Sequence, residues 1–294
     1  MDKETKVNKY GYHELINKPT ESQLSEYYAE KYYQAAEGGY EKKYSEDEIE
    51  YTDNKINQKY RKAIDLGLIS EDQTYSLLDV GCGEGFTLSF FNRLNWDITG
   101  LDYSSFGCEK FNPECSEKLK QGDIYGNIDS LIESEKKFDV IWIDNVLEHV
   151  LDPFELLNNL YKLSSEVGVL IIEVPNDFSI LQSYLLQKKH IDENFWVVVP
   201  DHISYFNKEG LENVCLASNW SKKSIMGDFP IDWFLINEHS NYKSNPATGK
   251  QAHTSRIEIE NLLSNISVDK TNKLFEALAD LGMGRQLIGI FKKQ

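Results

Sequence analysis

The chain carries little positive charge for its size. Its 294 residues include 31 lysines and arginines against 48 aspartates and glutamates, a formal net charge of −17. A nucleic-acid footprint or a surface for anionic membranes needs basic patches, so this balance argues against both. A small anionic ligand held by a few local cations remains compatible with it. Cysteine is scarce as well. Cys82, Cys108, Cys115 and Cys215 form no C-x-x-C pair, which argues against a zinc ribbon. Free thiols in a reducing compartment are expected instead. No apolar run is long enough to span a bilayer. The opening Met1-Asp2-Lys3-Glu4-Thr5 lacks the apolar core of a signal peptide, and neither an internal repeat nor a low-complexity tail is present. These absences predict a cytoplasmic protein with no membrane insertion and no nucleic-acid partner.

What remains is a globular composition, 40% hydrophobic and 27% charged, enough for a sizeable core. Residues 1–74 are polar and rich in tyrosine, with helical spacing at 21–37 and 47–66 broken by Gly38-Gly39. They read as a helical N-terminal cap. From residue 75 to 294 strands alternate with helices, the pattern of an α/β domain with a mainly parallel sheet. Strands are expected at 75–80, 97–102, 119–123, 138–143 and 167–173, then at 222–228 and 286–292. A helix runs from Pro153 to Leu163, with proline suited to its first turn. A polar insertion, 231–283, separates the last two strands. It carries a loop signal at 241–246 and helical spacing at 256–264 and 271–281.

The most informative stretch is Leu77-Leu78-Asp79-Val80-Gly81-Cys82-Gly83-Glu84-Gly85. An apolar run ends in an acid and three alternating glycines, and helical spacing follows from Phe86. Glycines let the backbone turn sharply and approach a ligand, and the free N–H groups of a helix start face what the loop holds. A dinucleotide fingerprint needs a third glycine where Phe86 stands, so NAD binding is not expected. The pattern D-x-G-x-G-x-G instead resembles the first motif of class I S-adenosylmethionine (SAM) dependent methyltransferases.

Further pieces follow in order. Asp102 ends the second strand, 23 residues past Asp79. An acid there accepts bonds from ribose hydroxyls, although Asp102 also suits a helix N-cap. After the third strand, Asp123 suits the adenine amino group and Ile124 the ring face, with a turn aspartate as the plain alternative. The fourth strand reads Phe138-Asp139-Val140-Ile141-Trp142-Ile143-Asp144-Asn145-Val146-Leu147-Glu148-His149-Val150-Leu151-Asp152-Pro153. It resembles the F-D-x-I-x-x-x-x-V-L-E-H-V-x-D-P signature of the ubiquinone-biosynthesis O-methyltransferases and the sugar C-methyltransferases. On these residues the chain is identified as a member of the class I SAM-dependent methyltransferases.

The resemblance implies a Rossmann-like seven-stranded sheet with an antiparallel last strand, and SAM as cofactor. The expected cofactor contacts are Asp79, Gly81, Cys82, Gly83, Gly85, Asp102, Tyr103, Asp123, Ile124, Asp144 and Asn145. The tyrosine-rich start, the stretch Pro200-Asp201-His202-Ile203-Ser204-Tyr205-Phe206 and the insertion resemble a subgroup acting on sugars in bacterial surface-polysaccharide pathways. The cysteine-rich zinc domain of the sugar C-methyltransferases is absent.

O-methylation calls for a base or a metal, because a hydroxyl has a high pKa. His149, past the fourth strand's carboxyl end, is the base candidate, with Glu148 orienting it. The resemblance to the sugar C-methyltransferases carries base chemistry onto the same pair, and a structural Glu-His pair at a helix start is the alternative. His202 is the second catalytic candidate. Tyr12 and Tyr33 are lid candidates, and His253 and Arg256 suit a phosphate or sugar; His239 lies in the same insertion. Adjacent Asp144-Asn145 do not by themselves make an octahedral oxygen site, so no metal is expected. The leading expectation is methyl transfer to a sugar, as a nucleotide sugar or glycan, by a possible homodimer. The alternatives are O-methylation of a phenolic or quinone-like molecule and a non-catalytic SAM-binding regulator.

Overall fold

Runs such as Leu77-Leu78, Val140-Ile141-Trp142-Ile143 and Val169-Leu170-Ile171-Ile172 are apolar on both faces of a strand, the signature of a sheet covered on both sides. A computed structural model describes residues 4–29 and 43–294 and bears this out. The chain opens with β1 (Thr5–Val7), β2 (His13–Leu15), α1 (Glu21–Ala29) and α2 (Glu46–Asp65). Then come β3 (Ser76–Val80), α3 (Phe86–Arg93), β4 (Asp97–Asp102), α4 (Phe106–Phe111), β5 (Leu119–Gln121), α5 (Ile124–Glu133), β6 (Phe138–Asp144) and α6 (Pro153–Leu163). The second half holds β7 (Ser164–Pro175), α7 (Ile180–Gln187), β8 (Ser204–Tyr205), α8 (Lys208–Ala217), β9 (Trp220–Gly227), α9 (Gly249–Ile266), α10 (Val268–Asp280) and β10 (Gln286–Lys293).

Seven strands form one sheet in the order β5-β4-β3-β6-β7-β10-β9. The first five are parallel, and β10 runs antiparallel to both β7 and β9. Alternate side chains go to opposite faces. Leu77, Val140, Trp142, Val169 and Ile171 meet Ile56 and Tyr60 of α2 and Leu88 and Phe91 of α3. Leu78, Val80, Ile141, Ile143, Leu170 and Ile172 meet Leu156, Leu157 and Leu160 of α6 and Leu211 and Val214 of α8. The four cysteines are free and buried. Among the described residues no helix is long and apolar enough to cross a membrane.

Local signals fix the helix starts. Ser45 and Glu48 form a reciprocal capping box at α2, and the Asp152 carboxylate accepts the Glu155 N–H at 3.1 Å ahead of Pro153 in α6. In the insertion, the two expected helices appear as α9 and α10.

The N-terminal segment departs from a purely helical reading. β1 and β2 form a hairpin whose turn is held by the Asn8 carboxamide oxygen, which accepts the Tyr10 and Gly11 N–H groups. β2 then pairs with β8, giving a small second sheet that anchors the loop after α7. Three-residue strands leave almost no periodic trace, and this pairing spans nearly 200 residues of sequence. Tyr12, a lid candidate, is 2% exposed and packs on Phe206 with ring centroids 4.5 Å apart. Buried as it is, Tyr12 also lines a pocket with Lys9, Tyr10, Asp152 and Phe154 beside the hairpin. Helix α1 is followed to Ala29; the rest of the 21–37 prediction, with Tyr33 and Gly38-Gly39, lies outside the described residues.

Candidate active site

The carboxyl ends of β3, β4, β6 and β7 bring the predicted residues to one edge of the sheet. After β3, Gly81 takes φ 74°, and a Cβ there would sit 2.3 Å from Val146 Cγ2, so only glycine fits between this loop and the β6 loop. At Gly83 the direction a Cβ would take is open, with nothing within 4 Å. The Leu101 carbonyl accepts the Gly81 and Cys82 N–H groups, binding the loop to β4. Gly85, the N-cap of α3, offers no side chain to the helix's first N–H groups.

Asp102 stands beside this loop, 9% exposed. Its carboxylate accepts the Gly83 N–H at 2.9 Å and the Ser104 N–H at 3.0 Å, so the turn role and a place at the cofactor loop coincide. Burial pushes its carboxyl up. Asp79 is buried and pushed well up, first by burial and then by the carboxylates of Asp144 and Asp102. Tyr103 donates to Asp123 at 2.8 Å, and Asp123 also caps α5 by accepting the Gly126 N–H. Ile124 packs against the core beneath them. Tyr44, which sequence reasoning did not single out, donates to Glu84 at 2.7 Å and meets Phe86 and Phe111 edge-on. The open face at Gly83, the uncapped α3 start and the anchored carboxylate of Asp102 fit a nucleoside cofactor such as SAM.

Beyond β6 the three catalytic candidates converge. The Glu148 carbonyl accepts the N–H groups of Ile203 and Ser204, clasping the β6 loop to the loop that leads into β8. His149 and His202 come to 4.9 Å between ring centroids, at 80°. His149 Nδ1 lies 2.6 Å from the Asp201 carbonyl oxygen. A carbonyl only accepts, so Nδ1 carries the proton and Nε2 keeps its lone pair. Nε2 sits 3.7 Å from Glu148 Oε1. Burial pushes the Glu148 carboxyl well up, and the carboxylates of Asp177, Glu173 and Asp201 add to it. One ligand atom from each of Glu148, His149 and His202 falls within 4.8 Å of the others, a convergence that scanning Asp144-Asn145 did not anticipate.

A second polar group lies at the same edge. Asp144 and Glu173 are register partners at the ends of β6 and β7. Lys59 of α2 bonds both, at 2.6 Å to Glu173, and Lys55 also bonds Glu173. Burial alone would raise the Glu173 carboxyl, but the two lysines outweigh it and hold it at about 2. Asp144 therefore serves as an ion-pair partner of α2, and Asn145, in the left-handed region at φ 53°, is tied to β7 through its N–H to the Glu173 carbonyl. Arg256 of α9 is near this group, whereas His253 is exposed beside it, 3.2 Å from the Arg256 guanidinium. Lys55, Lys59, Glu173, Asp228 and Glu260 escaped sequence reasoning. The i, i+4 spacing of Lys55 and Lys59 on a helix was the one available signal, and solvated lysines show the same spacing.

This strand order, with a glycine loop after the first parallel strand and acids at the strand ends, defines the class I methyltransferase architecture. A family profile described as a methyltransferase domain matches residues 49–224, and the chain belongs to that family. A ubiquinone biosynthesis O-methyltransferase of Saccharomyces cerevisiae, mitochondrial, is 30% identical over 187 residues, covering 62% of this chain and 58% of that protein. The Pelagibacter ubique protein of the same name is 33% identical over 173 residues, 56% of this chain and 70% of its own. The chain thus spans little more than half the length of the yeast relative. Among solved structures, a SAM dependent methyltransferase from Archaeoglobus fulgidus aligns over 82% of this chain and 94% of its own, with 22% identity and a TM-score of 0.47.

Proposed function

We propose that this chain transfers a methyl group from SAM to a hydroxyl oxygen of a small-molecule acceptor, with His149 as general base. Gly81, Gly83, Gly85 and Asp102 would hold the cofactor, with Tyr103, Asp123 and Ile124 on its nucleoside side. SAM, when bound, supplies a methyl group that leaves sulfur as the acceptor oxygen attacks it, giving S-adenosylhomocysteine. His149 Nε2 takes the hydroxyl proton. The Asp201 carbonyl holds the ring in the tautomer that can do so, and Glu148, whose carboxyl burial pushes well up, lies 3.7 Å from Nε2. The observation that carries this reading is the 2.6 Å contact from His149 Nδ1 to the Asp201 carbonyl, which assigns the proton to Nδ1 and the lone pair to Nε2. The relatives' names, O-methyltransferases of ubiquinone biosynthesis, support transfer to oxygen and favour a phenolic acceptor. The charged strand edge at Asp144 and Glu173 favours a polar acceptor such as a sugar.

The test is single-turnover release of S-adenosylhomocysteine with dihydroxyphenyl and sugar acceptors. His149→Gln is expected to slow the chemical step by about 10²–10⁴-fold while SAM affinity, read by calorimetry, stays unchanged. The wild-type rate should fall on acidification as the imidazole takes up a proton. Full rate in the variant would return His149 to a structural role. Methyl transfer is also expected to survive exhaustive chelation. Loss on chelation, restored by zinc or magnesium, would turn Glu148, His149 and His202 into a cation site instead.

A further inference from the structure

Four carboxyl groups and three cationic side chains meet where α2 and α9 cross the carboxyl edge of the sheet. Glu173 takes both lysines, and Asp144 shares Lys59. Two further acids, Asp228 just past β9 and Glu260 on α9, are left with the field of Lys55, whose ammonium is already bonded to Glu173, and with Arg256. Arg256 does not reach either as a hydrogen-bond donor: its Nε lies 4.0 Å from Glu260 Oε1. Asp228 is 0% exposed and Glu260 1%. Asp228 Oδ1 is satisfied by the N–H groups of Arg285 and Gln286. Asp228 Oδ2, both Glu260 oxygens and Arg256 Nε have no hydrogen-bond partner among the described residues. Buried polar atoms are rarely left this way, and three of these four are acceptors. Tyr51 adds an aromatic face, with the Arg256 guanidinium carbon 5.4 Å and Lys55 Nζ 5.8 Å from its centroid.

The missing element is a positively charged donor. A neutral hydroxyl could bond one of these oxygens but brings no charge with which Asp228 and Glu260 could both ionise, and an apolar ring would satisfy none. A protonated amine offers up to three N–H donors and the lacking charge, and ammonium groups bind well beside aromatic faces. We propose that Asp228 and Glu260, beside Tyr51 and Arg256, receive a protonated amine carried by the hydroxylated acceptor. The site would then read the acceptor's charge at α9 while Glu148 and His149 act on its hydroxyl. This rests on the methyl-transfer reading.

Two matched pairs of probes separate charge from ring type: dopamine with catechol, and glucosamine with glucose. Each is titrated calorimetrically into the protein saturated with S-adenosylhomocysteine. The amine member of at least one pair should bind about tenfold or more tightly than its partner, as expected for charge-assisted bonds. Glu260→Gln, an isosteric change, should erase that ratio and leave SAM affinity as it was. Asp228→Asn should act alike, and Glu260→Gln keeps the test intact should Asp228→Asn fail to fold. Equal binding within both pairs, no binding by either amine at millimolar concentration, or a ratio unchanged in Glu260→Gln would each overturn the proposal. Weaker SAM binding in Glu260→Gln would overturn it too, by giving the carboxylates to the cofactor's own ammonium. Failure of the wild type to bind SAM at all would break the methyl-transfer reading itself, a result distinct from these.

Discussion

Asp102 illustrates how one side chain serves two roles at this edge. Its carboxylate bonds the Gly83 and Ser104 N–H groups, so it shapes the loop after β3 and the turn after β4 together. Each carboxylate oxygen has a second lone pair, and under the proposed function those would be the positions offered to ribose hydroxyls. Asp102→Ala should therefore remove charge-assisted bonds worth about 1.5–3 kcal/mol, weakening SAM roughly ten- to a hundredfold. Calorimetry with the folded variant checks this, and unchanged affinity would limit Asp102 to its turn. Asp123 differs in kind. Its oxygens are engaged by the Tyr103 hydroxyl and the Gly126 N–H, so its link to a nucleobase would run beside Tyr103.

Helix α2 is more than a cap on the domain. Its apolar stripe, with Ile56 and Tyr60, packs on the sheet, while Lys55 and Lys59 fasten it to the strand ends of β6 and β7. Lys59 is 1% exposed and faces two carboxylates. Removing one partner of a buried ion pair leaves uncompensated charge, at about 3–5 kcal/mol. Lys59→Met is expected to destabilise the chain by that order in urea denaturation, far more than a surface lysine would. A loss below about 1 kcal/mol would mean that water, not Lys59, solvates Asp144 and Glu173. The same helix runs its N-terminal half past α9, where the Asn54 amide donates to Asn261 at 3.1 Å and the Asn261 amide donates to the Asp47 carbonyl at 2.9 Å. The cofactor edge and the insertion are thus joined through α2.

For the molecule as a whole, two buried acids pull the pH dependence of stability in opposite directions. Glu173 is held at about 2 by its lysines. Its contribution is complete above the unfolded value of 4.5 and is lost as the pH falls from there through about 2. Glu260 is pushed up to about 8, by burial first and by Asp228 second. The folded chain then holds a proton that the unfolded chain has released, so stability declines as the pH rises from 4.5 to about 8. Glu260→Gln should gain stability relative to wild type steadily across that window. Denaturation of both proteins at several pH values reads the difference, and a flat difference would mean that Glu260 ionises freely in the fold.

The amino-acid sequence determined the seven-stranded sheet, because its strands are apolar on both faces and its helices carry caps and stripes that local chemistry fixes. It also put the glycine loop, Asp102, Glu148 and His149 at one edge, because each lies at or within a few residues of a strand's carboxyl end and those ends share an edge. Only the tertiary structure decided what depends on distant partners. The β1–β2 hairpin is ordered by two residues of β8, and Tyr12 is buried by that pairing. His149 acquires its tautomer from a carbonyl 52 residues away. Lys55, Lys59, Asp228 and Glu260 look like ordinary surface charges in sequence. A charge on a helix carries no local mark of burial, and only the packing of α2 and α9 over the strand ends takes these groups out of water.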